Sequence, residues 1–267
     1  MDSETWTERY GPWALVTGAS SGIGKEMALI AAERGLNVAL CARSGEKLRA
    51  LASESEARGR QTRVIVADLS LPSEADRLLT ETDDLEIGLY IPAAGFGSAG
   101  NALRVPDATE RAMVALNCQA VVATTQPLAQ KMAARGHGGV ILFGSILSFQ
   151  GISGFATYAA TKAFVHSLAE GLIREYSAAG IDVLALAPGP TATGFGARAG
   201  LPMRDADGAA VVAAEAFDAL GRRKTLISGP LSRRLWGFLG RLPRAVRSKL
   251  IAQSLGRQIE GDPATRT

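Results

Sequence analysis

The sequence predicts a doubly wound α/β fold, a seven-stranded parallel sheet with helices on both faces. Three observations carry this. Seven short apolar or β-branched runs punctuate the chain, a longer stretch with helical periodicity follows each of the first six, and no internal repeat or long linker breaks the alternation. At 267 residues, 47% of them hydrophobic, the chain has the length and the apolar material for one such core.

In chain order the strands are residues 13–17 (WALVT), 37–41 (NVALC), 63–67 (RVIVA), 87–91 (IGLYI), 139–143 (GVILF), 182–187 (DVLALA) and 225–228 (TLIS). The helices are 22–34, 45–58, 72–82, 107–134, 157–179 and 205–220. Strands separated by helices are joined by crossovers, and right-handed crossovers leave a parallel sheet wound in both directions. Residues 1–230 then form one domain that includes a substrate loop at 189–210, and residues 231–267 form a C-terminal extension of it. In such sheets ligands bind beyond the carboxyl ends of the strands, where the strand order reverses. Motifs are weighed by whether they fall there.

Composition removes several classes of function. No apolar run reaches the roughly 18–20 residues that span a bilayer, and the start MDSETWTERYGPW is polar, unlike a secretory signal. The two cysteines, Cys41 and Cys118, sit in apolar stretches and read as buried reduced thiols, which points to the cytoplasm. The two histidines, His137 and His166, lack partners at metal-binding spacing, so no metal site is expected. Between Asp218 and Glu260 there is no acidic residue but ten basic ones. Taking these from the chain's 29 leaves 19 basic against 26 acidic residues, a net of −7 for the remainder. An acidic body with a basic tail argues against nucleic acid as a partner of the main domain.

The first strand runs into TGASSGIG, residues 17–24. Gly18 permits a tight exit, Gly22 lets backbone approach a pyrophosphate, and Gly24 lets the next helix pack close to the sheet. That helix offers unpaired N–H groups and a positive dipole end to phosphates. Lys25 raises the rival reading of a Walker loop, but the glycine spacing is one residue too long and Glu26 stands where Ser or Thr is required. The turn therefore reads as the dinucleotide site of a Rossmann-type fold. At the end of the second strand, Ala42 replaces the carboxylate that would bond an NAD ribose, and Arg43 and Ser44 follow it. An arginine with a neighbouring hydroxyl suits the 2′-phosphate of NADP(H).

Tyr158 and Lys162 lie four residues apart in a helical segment and share a face. A free phenol, with a pKa of about 10, is a poor base at neutral pH, and a nearby ammonium stabilises its phenolate. Ser145, ending a buried strand, is placed to donate a hydrogen bond to a substrate oxygen. A lone Tyr–Lys pair at this spacing is usually a surface contact; Ser145 and the nucleotide turn shift that reading towards acid–base chemistry.

Taken together, TGASSGIG, Asn117, Ser145 and Tyr158-Ala-Ala-Thr-Lys162 resemble the short-chain dehydrogenase/reductase family, in its branch of about 250 residues, over roughly residues 11–230. The resemblance implies that Ser145 orients a carbonyl, Tyr158 protonates it, Lys162 binds the nicotinamide ribose and Asn117 holds a relay water. It implies further cofactor contacts from Ser20, Ser21 and Ile23 in the turn, Asp68 and Leu69 by the adenine, Ala94 and Gly95 after the fourth strand, and Pro188, Gly189, Thr191 and Thr193 near the nicotinamide. Where the family has Asn-Asn-Ala-Gly, this chain has Pro92-Ala93-Ala94-Gly95, so the side-chain bracing usual there is lost. A weaker similarity at RYGPWALVTGASSGIGK to members acting on steroids and 3-oxoacyl thioesters implies a hydrophobic ketone or alcohol. Relatives pair through helices 107–134 and 157–179, which implies a homodimer or homotetramer.

Residues 189–204 have the glycine-rich composition of a lid. Residues 231–257 combine leucines, Trp236 and Phe238 with the basic residues, interrupted by Pro243. This pattern fits a pocket wall or subunit contact, or alternatively peripheral attachment to an anionic membrane. The rivals to an oxidoreductase are an NADP sensor without catalysis, which has no need of Tyr158, and a membrane-surface scaffold, which leaves the glycine turn unexplained.

Overall fold

A computed structural model describes residues 3–193 and 206–260. The predicted helix 205–220 starts at Ala209, and residues 194–204 of the expected lid lie outside the described residues, as do 205 and 261–267.

The main sheet has seven strands in the order β3-β2-β1-β4-β5-β6-β9, every neighbouring pair parallel. They are β1 (Trp13–Thr17), β2 (Asn37–Ala42), β3 (Thr62–Val66), β4 (Ile87–Pro92), β5 (Gly138–Phe143), β6 (Ile181–Pro188) and β9 (Thr225–Ser228). A two-residue parallel ladder, β7 (Thr191–Ala192) with β8 (Asp207–Gly208), follows β6. Alternate residues face opposite cores, as the two-residue period of a strand requires. Ala14 and Val16 of β1 face one core, and Leu15 faces the other.

On the first face lie α2 (Gly22–Glu33), α3 (Gly45–Glu56) and α8 (Ala209–Ala219), through Met27, Leu48, Leu51, Val212 and Phe217. On the second lie α4 (Pro72–Glu81), α6 (Ala120–Arg135) and α7 (Ala156–Ser177), through Leu78, Leu128, Met132, Val165 and Ala169. The predicted helix 107–134 is α5 (Asp107–Val114) running into α6 through a π-helical turn, Ala115–Gln119.

Three helices were not read from the sequence. α1 (Ser3–Tyr10) turns inward because Trp6 and Tyr10, one turn apart, are buried against each other, with Trp6 also on Phe217. α9 (Pro230–Leu239) and α10 (Arg244–Glu260) resolve the basic amphipathic segment into two helices broken around Pro243.

The chain winds outward from β1 to β3 and returns to β4 beside β1. The switch point therefore lies between the exits of β1 and β4. These exits touch: a Cβ added at Gly18, whose φ is +67°, would fall 2.7 Å from the Ala94 nitrogen.

Candidate active site

The exits of the central strands and helices α9 and α10 enclose one cleft of about 980 Å³. Every residue singled out above for catalysis or cofactor contact lines it except Asn117.

At one end is the glycine turn. Gly22, at φ +59°, and Gly18 occupy the left-handed region that side chains disfavour. A Cβ at Gly24 would fall 2.5 Å from the Gly18 carbonyl oxygen, so glycine there sets how closely α2 approaches the turn. Ser21 caps α2 in extended conformation without a side-chain cap bond, leaving the first N–H groups of the helix to a ligand.

The next corner holds Arg43, Ser44 and Lys47. Lys47 escaped the sequence reading; its signal was the position of a second cation in the first turn of α3. Asp68 faces Arg43 across 3.7 Å and accepts hydrogen bonds from the Ser70 N–H and hydroxyl. Burial works to raise the Asp68 pKa, but the Ser70 bonds and the Arg43 charge outweigh it and hold the carboxyl below its ordinary value.

The Thr17 hydroxyl accepts the Ala94 N–H at 3.2 Å, tying β1 to the β4 exit by a side chain from the neighbouring strand. Asn117, 1% exposed, accepts the Phe96 N–H at 3.2 Å and donates to the Phe96 carbonyl at 2.9 Å and to Thr161 at 3.1 Å. Its side chain thus holds the loop after β4 against α7, which is why it stands behind the cleft wall. It remains close to the centre: a Cβ at Gly95 would lie 3.1 Å from Asn117 Oδ1 and 3.6 Å from Lys162 Nζ.

At the far end Ser145 follows β5 and caps a 3₁₀ turn, Ile146–Phe149. Its hydroxyl accepts the Leu147 N–H at 3.2 Å and shares a hydrogen bond with Tyr158. Lys162 Nζ donates to the Phe143 carbonyl at 3.0 Å and sits 5.9 Å from the centre of the Tyr158 ring. The sequence reading has the ammonium drawing the phenol's pKa down, but in this geometry burial prevails. It pushes Tyr158 up to about 12, opposed by the Ser145 bond, and pushes Lys162 down to about 8. Desolvation disfavours the charged form of each group, and the lysine is turned to a backbone oxygen.

Ser148 is a second residue the sequence reading missed. Its hydroxyl accepts the Ser145 N–H at 2.9 Å and donates to the Lys162 carbonyl at 2.9 Å, so one buried group fixes the end of β5 to α7. Ser145 and Ser148 form a capping box, and Ser-x-x-Ser at a strand end was its signal.

The C-terminal helices form the outer wall. Gly189, just beyond β6, leaves room for Ser232 of α9, whose hydroxyl a Cβ there would strike. Arg233 pairs with Glu215 at 2.7 Å. The Trp236 ring stacks 4.3 Å from Phe149, with the Arg247 guanidinium 4.8 Å over the Trp236 ring and His166 4.7 Å from Phe149. Ile251 and Leu255 of α10 pack on the cluster that contains Phe155 and Tyr158. Residues of the segment thus line the cleft, as one of its expected roles requires. His166 is buried in this stack, where desolvation lowers its pKa.

The sequence pattern of the short chain dehydrogenases matches residues 12–201. A 7beta-hydroxysteroid dehydrogenase of Clostridium sardiniense is 32% identical over 235 residues, covering 85% of this chain and 88% of that protein. A structure from work on the stereoselectivity of 7beta-hydroxysteroid dehydrogenase superposes with a TM-score of 0.84 at 28% identity, covering 91% of this chain and 98% of its own. A short-chain dehydrogenase from Sphingobium yanoikuyae in complex with NADPH superposes with a TM-score of 0.77 at 29% identity, covering 88% and 98%.

Proposed function

The chain belongs to the short-chain dehydrogenase family, and from that premise we propose that it transfers hydride between NADP(H) and a bulky hydrophobic ketone or its secondary alcohol. The observation that carries this reading is the junction of Ser145, Tyr158 and Lys162 with the glycine turn in one cleft. When bound, the dinucleotide supplies hydride to the carbonyl carbon or takes it from the alcohol.

The chain's own residues divide the remaining work. The N–H groups of α2 receive the pyrophosphate. Arg43, Ser44 and Lys47 receive the 2′-phosphate, and Ala42 offers no carboxylate to repel it. Asp68 steadies Arg43 beside the adenosine end. Ser145 donates to the carbonyl oxygen and Tyr158 delivers its proton. A phenol held near 12 by burial is fully protonated at neutral pH, the state that reduction consumes. Lys162 holds the ribose and meets the phenolate left behind with positive charge. Asn117 keeps the loop after β4 in place and borders the space beside Lys162 that a relay water would occupy.

Leu231, Leu235, Trp236, Leu239 and Leu255 on the outer wall favour an apolar body over a small polar one. The steroid named for the Clostridium sardiniense relative fits this class, as does an acyl chain. The outer faces of α5, α6 and α7 expose Val114, Val122 and Phe164, which supports a homo-oligomer assembled through these helices.

Oxidation of NADPH and of NADH against ketones of graded size tests the proposal. Turnover of bulky apolar ketones, with NADPH preferred at least tenfold, is the expected result. No turnover with any ketone removes the reaction, and equal use of NADH removes the cofactor assignment.

A further inference from the structure

The outer wall has a second side. On α9 and α10, Leu235 and Leu250 line the cleft yet are 43% and 42% exposed, and Phe238 is 65% exposed. They form the rim of the mouth. Val246 continues the apolar strip beyond the cleft at 46% exposure.

Around this strip stand Arg234, Arg241, Arg244 and Lys249, all exposed and without an ion pair among the described residues. The segment that carries them has no acidic residue between Asp218 and Glu260. Elsewhere Arg34, Arg63, Arg77, Arg111 and Lys131 each lie within 3.0 Å of a carboxylate, while other exposed cations, among them Arg49, Arg104 and Arg174, have no ion pair among the described residues. What sets the rim apart is that its cations stand beside four large apolar side chains left in water, in a segment with no carboxylate to offset them.

We propose that this rim docks on an anionic lipid bilayer, with the mouth of the cleft against the surface from which a hydrophobic substrate is drawn. Charge decides the occupant. A second copy on the same face would set four cations against four cations. An anionic bilayer satisfies both components together: its headgroups attract the cations within a Debye length, and its interface takes up the four apolar side chains. No described helix is long and apolar enough to cross a membrane, so contact by this rim would be peripheral. The benefit to catalysis rests on the hydrophobic-substrate reading above; the docking itself does not.

Flotation of the full chain with vesicles tests it without turnover. Vesicles of phosphatidylcholine are compared with vesicles in which about a third is phosphatidylglycerol, at low salt and with about 0.5 M salt, where screening is nearly complete. Binding to the anionic vesicles only, weakened by salt, is expected. The triple variant Arg234→Glu, Arg244→Glu, Lys249→Glu should lower it at least tenfold, and Val246→Ser several-fold, with unchanged circular dichroism; none of these residues lines the cleft. Should the triple variant fail to fold, the salt titration of the native chain decides. Absence of binding, equal binding to both vesicles, or a triple variant that changes oligomeric mass in light scattering and leaves flotation intact would each overturn the proposal. The last result would assign the rim to a second copy.

Discussion

The floor and the outer wall of the cleft are built on opposite terms. On the floor Ser145, Tyr158 and Lys162 are 7%, 8% and 9% exposed, and each is tied down by hydrogen bonds to backbone or to one another. On the wall Leu235 and Phe238 are 43% and 65% exposed, although α9 and α10 are anchored behind them by Ser232, the Arg233–Glu215 pair, Arg247 and Ser248 bonds to the Phe149 and Gly151 carbonyls, an aromatic stack and apolar contacts. The difference teaches where precision is needed. Proton transfer demands fixed atoms within hydrogen-bond reach, whereas recognition of an apolar body demands only area, which scales with surface buried and has no direction.

Substitutions on the floor should therefore act on kcat, and those on the wall on KM. Lys162→Ala should cut ketone reduction about a hundredfold or more, since the charge that meets the phenolate is lost. The same group sets a pH limb. Its pKa is depressed to about 8, so reduction by the native enzyme should fall as pH rises through that value, and the variant's profile should lack this limb. Steady-state rates across the pH range check both. Next, Arg43→Ala should raise the Kd for NADPH about thirtyfold, the loss of a charge-assisted bond, and leave NADH binding unchanged, measured by nucleotide fluorescence.

Ser148→Ala should lower kcat about tenfold with little change in KM for NADPH, because the hydroxyl acts through Ser145 and Lys162 and touches no ligand. Ser148→Thr, which keeps the hydroxyl, should recover most of the rate. A variant that lost stability with an unaltered kcat would reduce Ser148 to a structural bond. Leu235→Ala is the mildest change. It should raise KM for a bulky ketone a few-fold at constant kcat, and an equal effect on a small ketone would break the contrast between floor and wall.

What could be read from the sequence follows the same division. All seven main strands fall within a residue of their expected bounds, because both faces of a doubly wound sheet are buried and its runs are near-continuously apolar. The residues proposed for catalysis could be picked out because their spacing is local: four residues along one helix, and one strand end. What escaped depends on contacts distant in sequence. Thr17 ties β1 to the β4 exit from a neighbouring strand, and Ser148 joins two elements fourteen residues apart. Asn117 faces Phe96 and Thr161 because a π-helical turn rotates it there, which no helical periodicity reveals. In α1, Trp6 and Tyr10 were hidden by polar neighbours although their one-turn spacing was visible. Spacing gave the proximity of Lys162 to Tyr158, but not the burial that raises the phenol's pKa or the Phe143 carbonyl to which the ammonium donates.

The account turns on the Tyr158 hydroxyl as the group that gives up the proton. Single-turnover oxidation of bound NADPH by a bulky ketone, compared in the native chain and in Tyr158→Phe, isolates that step from binding and release. We expect a rate about a thousandfold lower with NADPH affinity within about twofold of native. A variant that oxidises NADPH at the native rate would contradict the assignment outright.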